Sequence, residues 1–146
     1  MERSYIAEND AERAHLRRLV AGLDDAMLAL PIGHDWTVGV TLAHLAFWDR
    51  LWLSKFDEAE RTGVFSPPNL GASVNTMNDG MLIWWQNIAP AQVKYEVVAA
   101  AEAIDQKAAT LPDWLVKAIL AARPRTLIRA VHRKEHLAEI ERAVTK

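Results

Sequence analysis

Apolar residues recur at intervals of three and four along most of the chain, which is the periodicity of amphipathic helices. From Ser4 to Ala21 the spacing is kept by Leu16, Leu19, Val20 and, just beyond, Leu23, with Gly22 where a C′ glycine would close a helix. Asp24, Asp25, Pro31 and Gly33 interrupt the pattern between Leu23 and Asp35, predicting a short turn and loop with His34 exposed. Thr37 is placed to cap a second helix from Val38 to Arg61, with Gly63 just past its end. Val40, Leu42, Leu45, Trp48, Leu51, Trp52 and Phe56 make that helix apolar around much of its circumference, so it belongs at the centre of the fold.

Residues 63–72, including Pro67 and Pro68, form the longest irregular stretch, and long loops in compact domains tend to be functional rims. Val74, Met77, Met81, Trp84, Trp85 and Ile88 then predict a shorter helix that ends before Pro90, a residue suited to the first position of the next one. Val93, Val97, Ala101, Ile104, Ala108 and Leu111 mark that next helix. Pro112 and Pro124 bracket a brief helical turn containing Trp114, Leu115 and Ile119, and a final helix is predicted from Arg125 to Val144. No segment alternates with period two for long enough to make a strand, and no repeat is present. The expected fold class is all-α, a single domain over residues 1–146. Long helices with modest connections suit a four-helix bundle, whose sites are built from side chains projecting inward from facing helices.

Two histidines stand four apart in the last helix, His132 and His136, in a segment free of Pro and Gly. Such a pair differs by about 40° in direction and about 6 Å in height, so both imidazoles can reach one ion at roughly 2.0 to 2.1 Å. Ile128 lies four residues before His132 and Ile140 four after His136, which sets the pair in an apolar, inward-facing stripe. His44, between Val40 and Trp48 on the central helix, points inward by the same reasoning. A polar group in such surroundings needs a partner, and either a shared metal ion or an internal hydrogen-bond network would provide one. His15 sits among Arg13, Arg17 and Arg18, where another cation is disfavoured, and His34 falls in the predicted loop.

Charge and composition narrow the partners. A formal net charge of −2, with Lys and Arg dispersed among acids, supplies no basic footprint for nucleic acid. The absence of cysteine removes disulfides, thiolate ligands and a cysteine nucleophile, and fits a reducing compartment. The N-terminal residues lack the basic end and apolar run of a leader, and no stretch of 18 apolar residues follows, so the expected location is the cytoplasm with no membrane partner.

The stretch from Trp36 to Arg50 (WTVGVTLAHLAFWDR), followed far down the chain by His132 to Ile140 (HRKEHLAEI), resembles the DinB-like family. That superfamily includes the N-terminal domain of mycothiol-dependent maleylpyruvate isomerase and related thiol S-transferases. The resemblance covers essentially the whole chain and is most specific at the two histidine motifs. It implies an antiparallel four-helix bundle holding a divalent ion, often zinc or nickel, with His44 as the first ligand, His132 as the second and His136 as the third. Iron satisfies the same donors. Two features depart from the family: Gly39 stands near the start of the second helix, where relatives often carry a charged residue, and the loop around Pro67 and Pro68 follows no family pattern. Substrate specificity is not transferred by the resemblance.

His132 to His136 also spells H-x-x-E-H, the inverted zinc-peptidase signature, in which Glu135 would be a general base. The match is short, and a peptidase of that type needs a further remote ligand and a substrate cleft. With His132 set at 0°, His136 falls at about 40°, Glu139 at about −20° and Glu135 at about −60°. Glu139 is therefore the acid aligned to receive the second ring N–H of a ligand, while Glu135 is expected to pair with a neighbouring Arg or Lys. The six tryptophans are expected in core and inter-helix packing, with Trp48 walling the metal pocket. Trp84 and Trp85, about 100° apart, cannot face one way, so one of them is expected at a homodimer interface, which the family analogy favours.

Two functional classes follow. Three neutral imidazoles leave a divalent ion with open positions, the pattern of a catalytic site, so the first class is a metal-dependent hydrolase or thiol S-transferase acting on a small molecule. Without cysteine, or a serine in the histidine motifs, its nucleophile would be water or a low-molecular-weight thiol. The second class is a non-catalytic, stress-associated helical module.

Overall fold

The computed structural model describes residues 1–67, 69–71 and 73–146; Pro68 and Ala72, both in the expected rim loop, lie outside the described residues. Among the described residues the fold is all-α apart from one small ribbon. Its elements are α1 (Tyr5–Ala21), α2 (Asp25–Leu28), β1 (Pro31–Gly33), β2 (Trp36–Thr37), α3 (Val38–Thr62), α4 (Ser73–Gln86), α5 (Pro90–Thr110), α6 (Asp113–Ala122), α7 (Pro124–Leu127) and α8 (Arg129–Val144). Helix α1 packs on α5 and α8, and α3 packs on α5 and α8, so the four longest helices close into a ring, with α4 lying against α3. No described helix is long and apolar enough to cross a membrane.

Local chemistry sets the ends of the elements. Thr37 Oγ1 accepts the Val40 N–H at 3.2 Å and starts α3, and Gly63 ends it in the left-handed conformation (φ 78°) that costs glycine least. Pro90 opens α5 at its first turn, where a missing N–H costs nothing. Gly22 follows α1 as expected but in a right-handed conformation, so this end does not require glycine.

Three expectations are corrected. The segment from Leu23 to Asp35 is more than turn and loop: it holds the single-turn helix α2 and half of an antiparallel ribbon, in which β1 pairs with β2. Strands of three and two residues are too short to show a period of two, and Gly33 (φ 127°) and His34 (φ 46°) make the tight reversal between them. The last helix does not begin at Arg125. Ile128 leaves the helical region (ψ 75°), which splits the segment into α7 and α8. Nor are all six tryptophans packed inside: Trp85 is buried, but Trp84 is 70% exposed and Trp114 43%. Gly39 has a packing reason to lack a side chain, because a Cβ there would lie 3.3 Å from the Leu28 carbonyl oxygen of α2.

The core has two apolar halves. One gathers Val38 to Ala46 of α3 with Trp85, Val97, Leu137 and Ile140, and the other gathers Trp48 to Ala59 with Ile104, Leu115, Ile119 and Leu127. Between them lies a polar layer of Asp49, Asp105, Arg129 and Arg133, each no more than 5% exposed. Arg133 donates to both carboxylate oxygens of Asp105 at 2.7 Å, and Arg129 Nε donates to Asp49 Oδ1 at 2.8 Å. Arg133 also stands 3.5 Å from Asp49, and Arg13 of α1 reaches Asp105 at 2.7 Å. Buried Asn9 ties α1 to α8 by accepting the Ala130 N–H and donating to the Leu127 carbonyl. Two cations and two anions are thus mutually compensated inside the fold, which is the condition under which burying them is tolerated.

Candidate metal centre

His44 lies where the two apolar halves meet, one turn before Trp48, on the part of α3 that is buried nearly all round. His132 and His136 face it from α8. On that helix the buried residues Ala130, Arg133, Leu137 and Ile140 lie about 80° to 160° around from His132, so the histidine pair occupies the edge of the inward face instead of its centre. That edge position opens both rings onto a cavity while the rest of α8 stays packed.

The three rings form a near-equilateral triangle. Centroid separations are 5.0 Å for His44 and His132, 4.8 Å for His44 and His136, and 4.9 Å for His132 and His136, with interplanar angles of 69°, 75° and 81°. One nitrogen of each ring lies within 4.8 Å of the others, and the Nε2 atoms of His44 and His132 are 3.0 Å apart. Two imidazoles on one tetrahedral ion hold their nitrogens roughly 3.3 Å apart. The triangle is therefore close to a chelating size, and the 3.0 Å separation is equally that of a hydrogen bond between the His44 and His132 rings.

Protonation agrees with that use. Burial, reinforced by the neighbouring His136, lowers the His44 pKa to about 3. Burial and the Arg129 guanidinium drive His132 far below its ordinary value as well. Both rings are neutral near pH 7, the state in which imidazole ligates. His44 presents Nε2 to the other two rings, and its Nδ1, the ring nitrogen away from His132, is buried without a hydrogen-bond partner. On these grounds the residues fit a divalent ion.

The surrounding groups differ from one ring to the next. Glu139 Oε1 stands 2.7 Å from His136 Nδ1; the separation suits a charge-assisted contact but the alignment falls short of a hydrogen bond, which a modest rotation of ring or carboxylate would complete. Arg129 Nη2 stands 3.4 Å from His132 Nδ1, and a guanidinium can only donate. His132 thus lacks the acceptor that usually orients a ligating ring. Glu135 is exposed and pairs with Arg125 at 2.9 Å. Trp36, Trp48 and Trp85 surround the His44 ring with centroids at 4.8, 6.4 and 5.6 Å. Trp48 is fixed by donating its indole N–H to Asn78 Oδ1 at 2.9 Å.

A cavity of about 380 Å³ is lined by His44, His132 and His136 together with Trp48, Trp52, Leu70, Val74, Arg123, Arg125, Thr126, Arg129 and Glu135. Leu70 comes from the expected rim loop. His15 and His34 are not part of the site. His15 bridges α1 and α8 through Glu12 and Glu141 at 3.2 and 2.6 Å, and His34 is exposed in the ribbon turn. The arginines of the wall and the part played by Trp36 were not singled out from the sequence. Arg129 carried the one available signal, its position one helical turn before His132. No protein-family model, curated protein or solved structure matches this chain.

Proposed function

We propose that this protein is a divalent-metal-dependent enzyme, a hydrolase or thiol S-transferase, on an antiparallel four-helix bundle of the DinB-like kind. The observation that carries the reading is the convergence of His44, His132 and His136 on one side of an open cavity, with one nitrogen of each within 4.8 Å of the others. The closed ring of α1, α3, α5 and α8 supports the bundle. A divalent ion held by these rings, zinc or nickel first among candidates, would supply a Lewis acid able to activate water or a thiol and polarise an electrophilic centre.

The chain's own residues take the remaining roles. His44, His132 and His136 would hold the ion as neutral donors, and Glu139 would orient His136 by accepting its Nδ1 proton. Trp48 and Trp52 exclude water from one wall. Among the described residues that line the cavity, Thr126 alone bears a hydroxyl, and that hydroxyl donates to the Arg123 carbonyl oxygen at 2.8 Å. This supports an external nucleophile, water or a low-molecular-weight thiol, over a covalent protein adduct. The exposed pairing of Glu135 with Arg125 favours a surface acid over a peptidase-type general base. A homodimer with the exposed Trp84 at its interface, and a cytoplasmic location, belong to the same reading.

Elemental analysis of protein purified without an affinity tag or added metal tests it. One divalent ion per chain is expected, lost in His44→Ala, His132→Ala and His136→Ala. Full metal retention in His44→Ala would place the third ligand elsewhere. Turnover against panels of thiol-transfer and hydrolase substrates then separates an enzyme from a non-catalytic module, which would show none.

A further inference from the structure

The three imidazoles have unlike neighbours at Nδ1, and those neighbours fix which nitrogen of each ring carries its proton. Arg129 Nη2 lies 3.4 Å from His132 Nδ1. A guanidinium has only N–H groups to offer, so His132 presents a lone pair at Nδ1 and the proton of the neutral ring sits on Nε2. That Nε2 is the atom 3.0 Å from His44 Nε2. His132 is therefore the donor of the pair and His44 the acceptor, which puts the His44 proton on Nδ1, the buried nitrogen without a hydrogen-bond partner. The opposite direction, His44 donating to His132, would move the His132 proton to Nδ1 and set it against a guanidinium N–H. His136 differs from both. The Glu139 carboxylate, 2.7 Å from its Nδ1, favours a proton there and leaves Nε2 as a lone pair. Of the three Nε2 atoms, two are lone pairs and that of His132 bears a proton.

Arg129 is held where it is. It is 3% exposed, and its Nε donates to Asp49 Oδ1 at 2.8 Å. Asp49 is 2% exposed and stands 3.5 Å from Arg133, which donates to both carboxylate oxygens of Asp105. Arg129 thus reaches His132 from a chain of compensated charges that runs through α8, α3 and α5. A surface arginine would swing away at little cost, whereas this one would leave a buried carboxylate short of a partner. In most ligating histidines the nitrogen away from the metal donates to a carboxylate or carbonyl, which fixes the tautomer that suits the metal. At His132 the buried neighbour is itself a donor, so it fixes the other tautomer.

We propose that Arg129 is a positioning residue that holds His132 with its proton on Nε2, so that the metal-free centre is a directed relay from Arg129 to His132 to His44. An ion then gains His132 only by displacing the Arg129 contact. The inference rests on reading the histidine cluster as a metal centre, and it names the residue that sets how tightly the centre holds its ion. For His132 to ligate through Nε2, the proton there leaves to water, another is taken up at Nδ1, and the Arg129 N–H turns aside. His136 needs no such exchange.

Long-range proton–nitrogen correlation spectra of the metal-free protein, isotope-labelled in histidine, read the protonation of each ring nitrogen directly. Near neutral pH, His132 is expected to show a protonated Nε2 and a bare Nδ1, and His44 the reverse. A His132 proton on Nδ1, or a His44 proton on Nε2, would overturn the proposal. A second arm removes the charge pair whole, in Asp49→Leu combined with Arg129→Met, with circular dichroism verifying the fold. That variant is expected to lose the His132 preference for a protonated Nε2 and to bind zinc about tenfold or more tightly than the unaltered protein in competition with a chromophoric chelator. Zinc affinity unchanged or lowered in the folded variant overturns the proposal, and so does tighter binding with the tautomers unchanged, which would mark simple charge repulsion. Where the double variant does not fold, the spectra of the unaltered protein decide alone. The two readings fail separately: no zinc binding with the tautomers as expected removes the metal and leaves the relay, and reversed tautomers in a protein that binds zinc remove only the relay.

Discussion

The carboxylate of Glu139 stands 2.7 Å from Nδ1 of His136, one turn along the same helix, and the carboxylate of Glu135 turns away to Arg125 at 2.9 Å. The two acids nearest the histidine pair therefore stand in different surroundings. On the proposed metal reading, Glu139→Gln is expected to weaken zinc affinity by about tenfold or more, because the carboxylate beside the second nitrogen of His136 is lost. Glu135→Gln is expected to leave affinity nearly unchanged. Competition with a chromophoric chelator measures both, and loss of turnover with metal retained in Glu135→Gln would restore that residue as a general base.

Metal should act on stability by mass action. An ion bound only by the folded state raises its stability by about 2.7 kcal/mol at a hundredfold excess over Kd. Chelation of metal-loaded protein should accordingly lower Tm, and Tm of His132→Ala should not respond to zinc. An unchanged Tm on chelation, with metal content verified beforehand, would argue against tight native-state binding.

Without metal the site should make the fold acid-sensitive. The His44 pKa is lowered from 6.5 to about 3, so the unfolded chain binds a proton that the folded chain refuses between those values. The stability associated with a neutral His44 is fully present above about pH 6.5 and is lost as pH falls toward 3, with a slope of about 1.4 kcal/mol per pH unit for each such proton. Urea unfolding of the metal-free protein from pH 7 to 4 should show this slope, and it should be reduced in His44→Phe. A slope identical in the two proteins would remove His44 as its source.

The buried ion layer predicts a sharp asymmetry between single and paired substitutions. Asp105→Asn strips Arg133 of a bidentate partner in a site where that arginine is 1% exposed, and should cost about 3 to 5 kcal/mol. Asp105→Leu combined with Arg133→Met removes both charges and should cost much less, since apolar replacement of a compensated buried pair is often near neutral. Chemical denaturation of the two variants measures the difference.

Much of the fold was legible along the chain because helix formation and capping depend on neighbours. The period of three to four, the Thr37 cap, Gly63 and Pro90 mark helix ends by local sterics and hydrogen bonding, and each stands at an element boundary in the structure. The i, i+4 spacing of His132 and His136 alone fixes their shared direction. That His44 meets them across 88 residues is a tertiary fact, to which the apolar surroundings of His44 only pointed.

What only the tertiary structure decided has a common physical origin. An arginine reads as solvent-facing because burying its charge is costly, and the offset for Arg133 comes from Asp105 and Asp49, 28 and 84 residues away. The break at Ile128 that separates α7 from α8 is likewise unmarked along the chain, since no Pro or Gly stands between Arg125 and Val144. The ribbon that carries Trp36 to the His44 ring is too short to announce itself as a pattern. Periodicity records which face of an element is apolar; which charges meet across the core depends on how those faces are brought together.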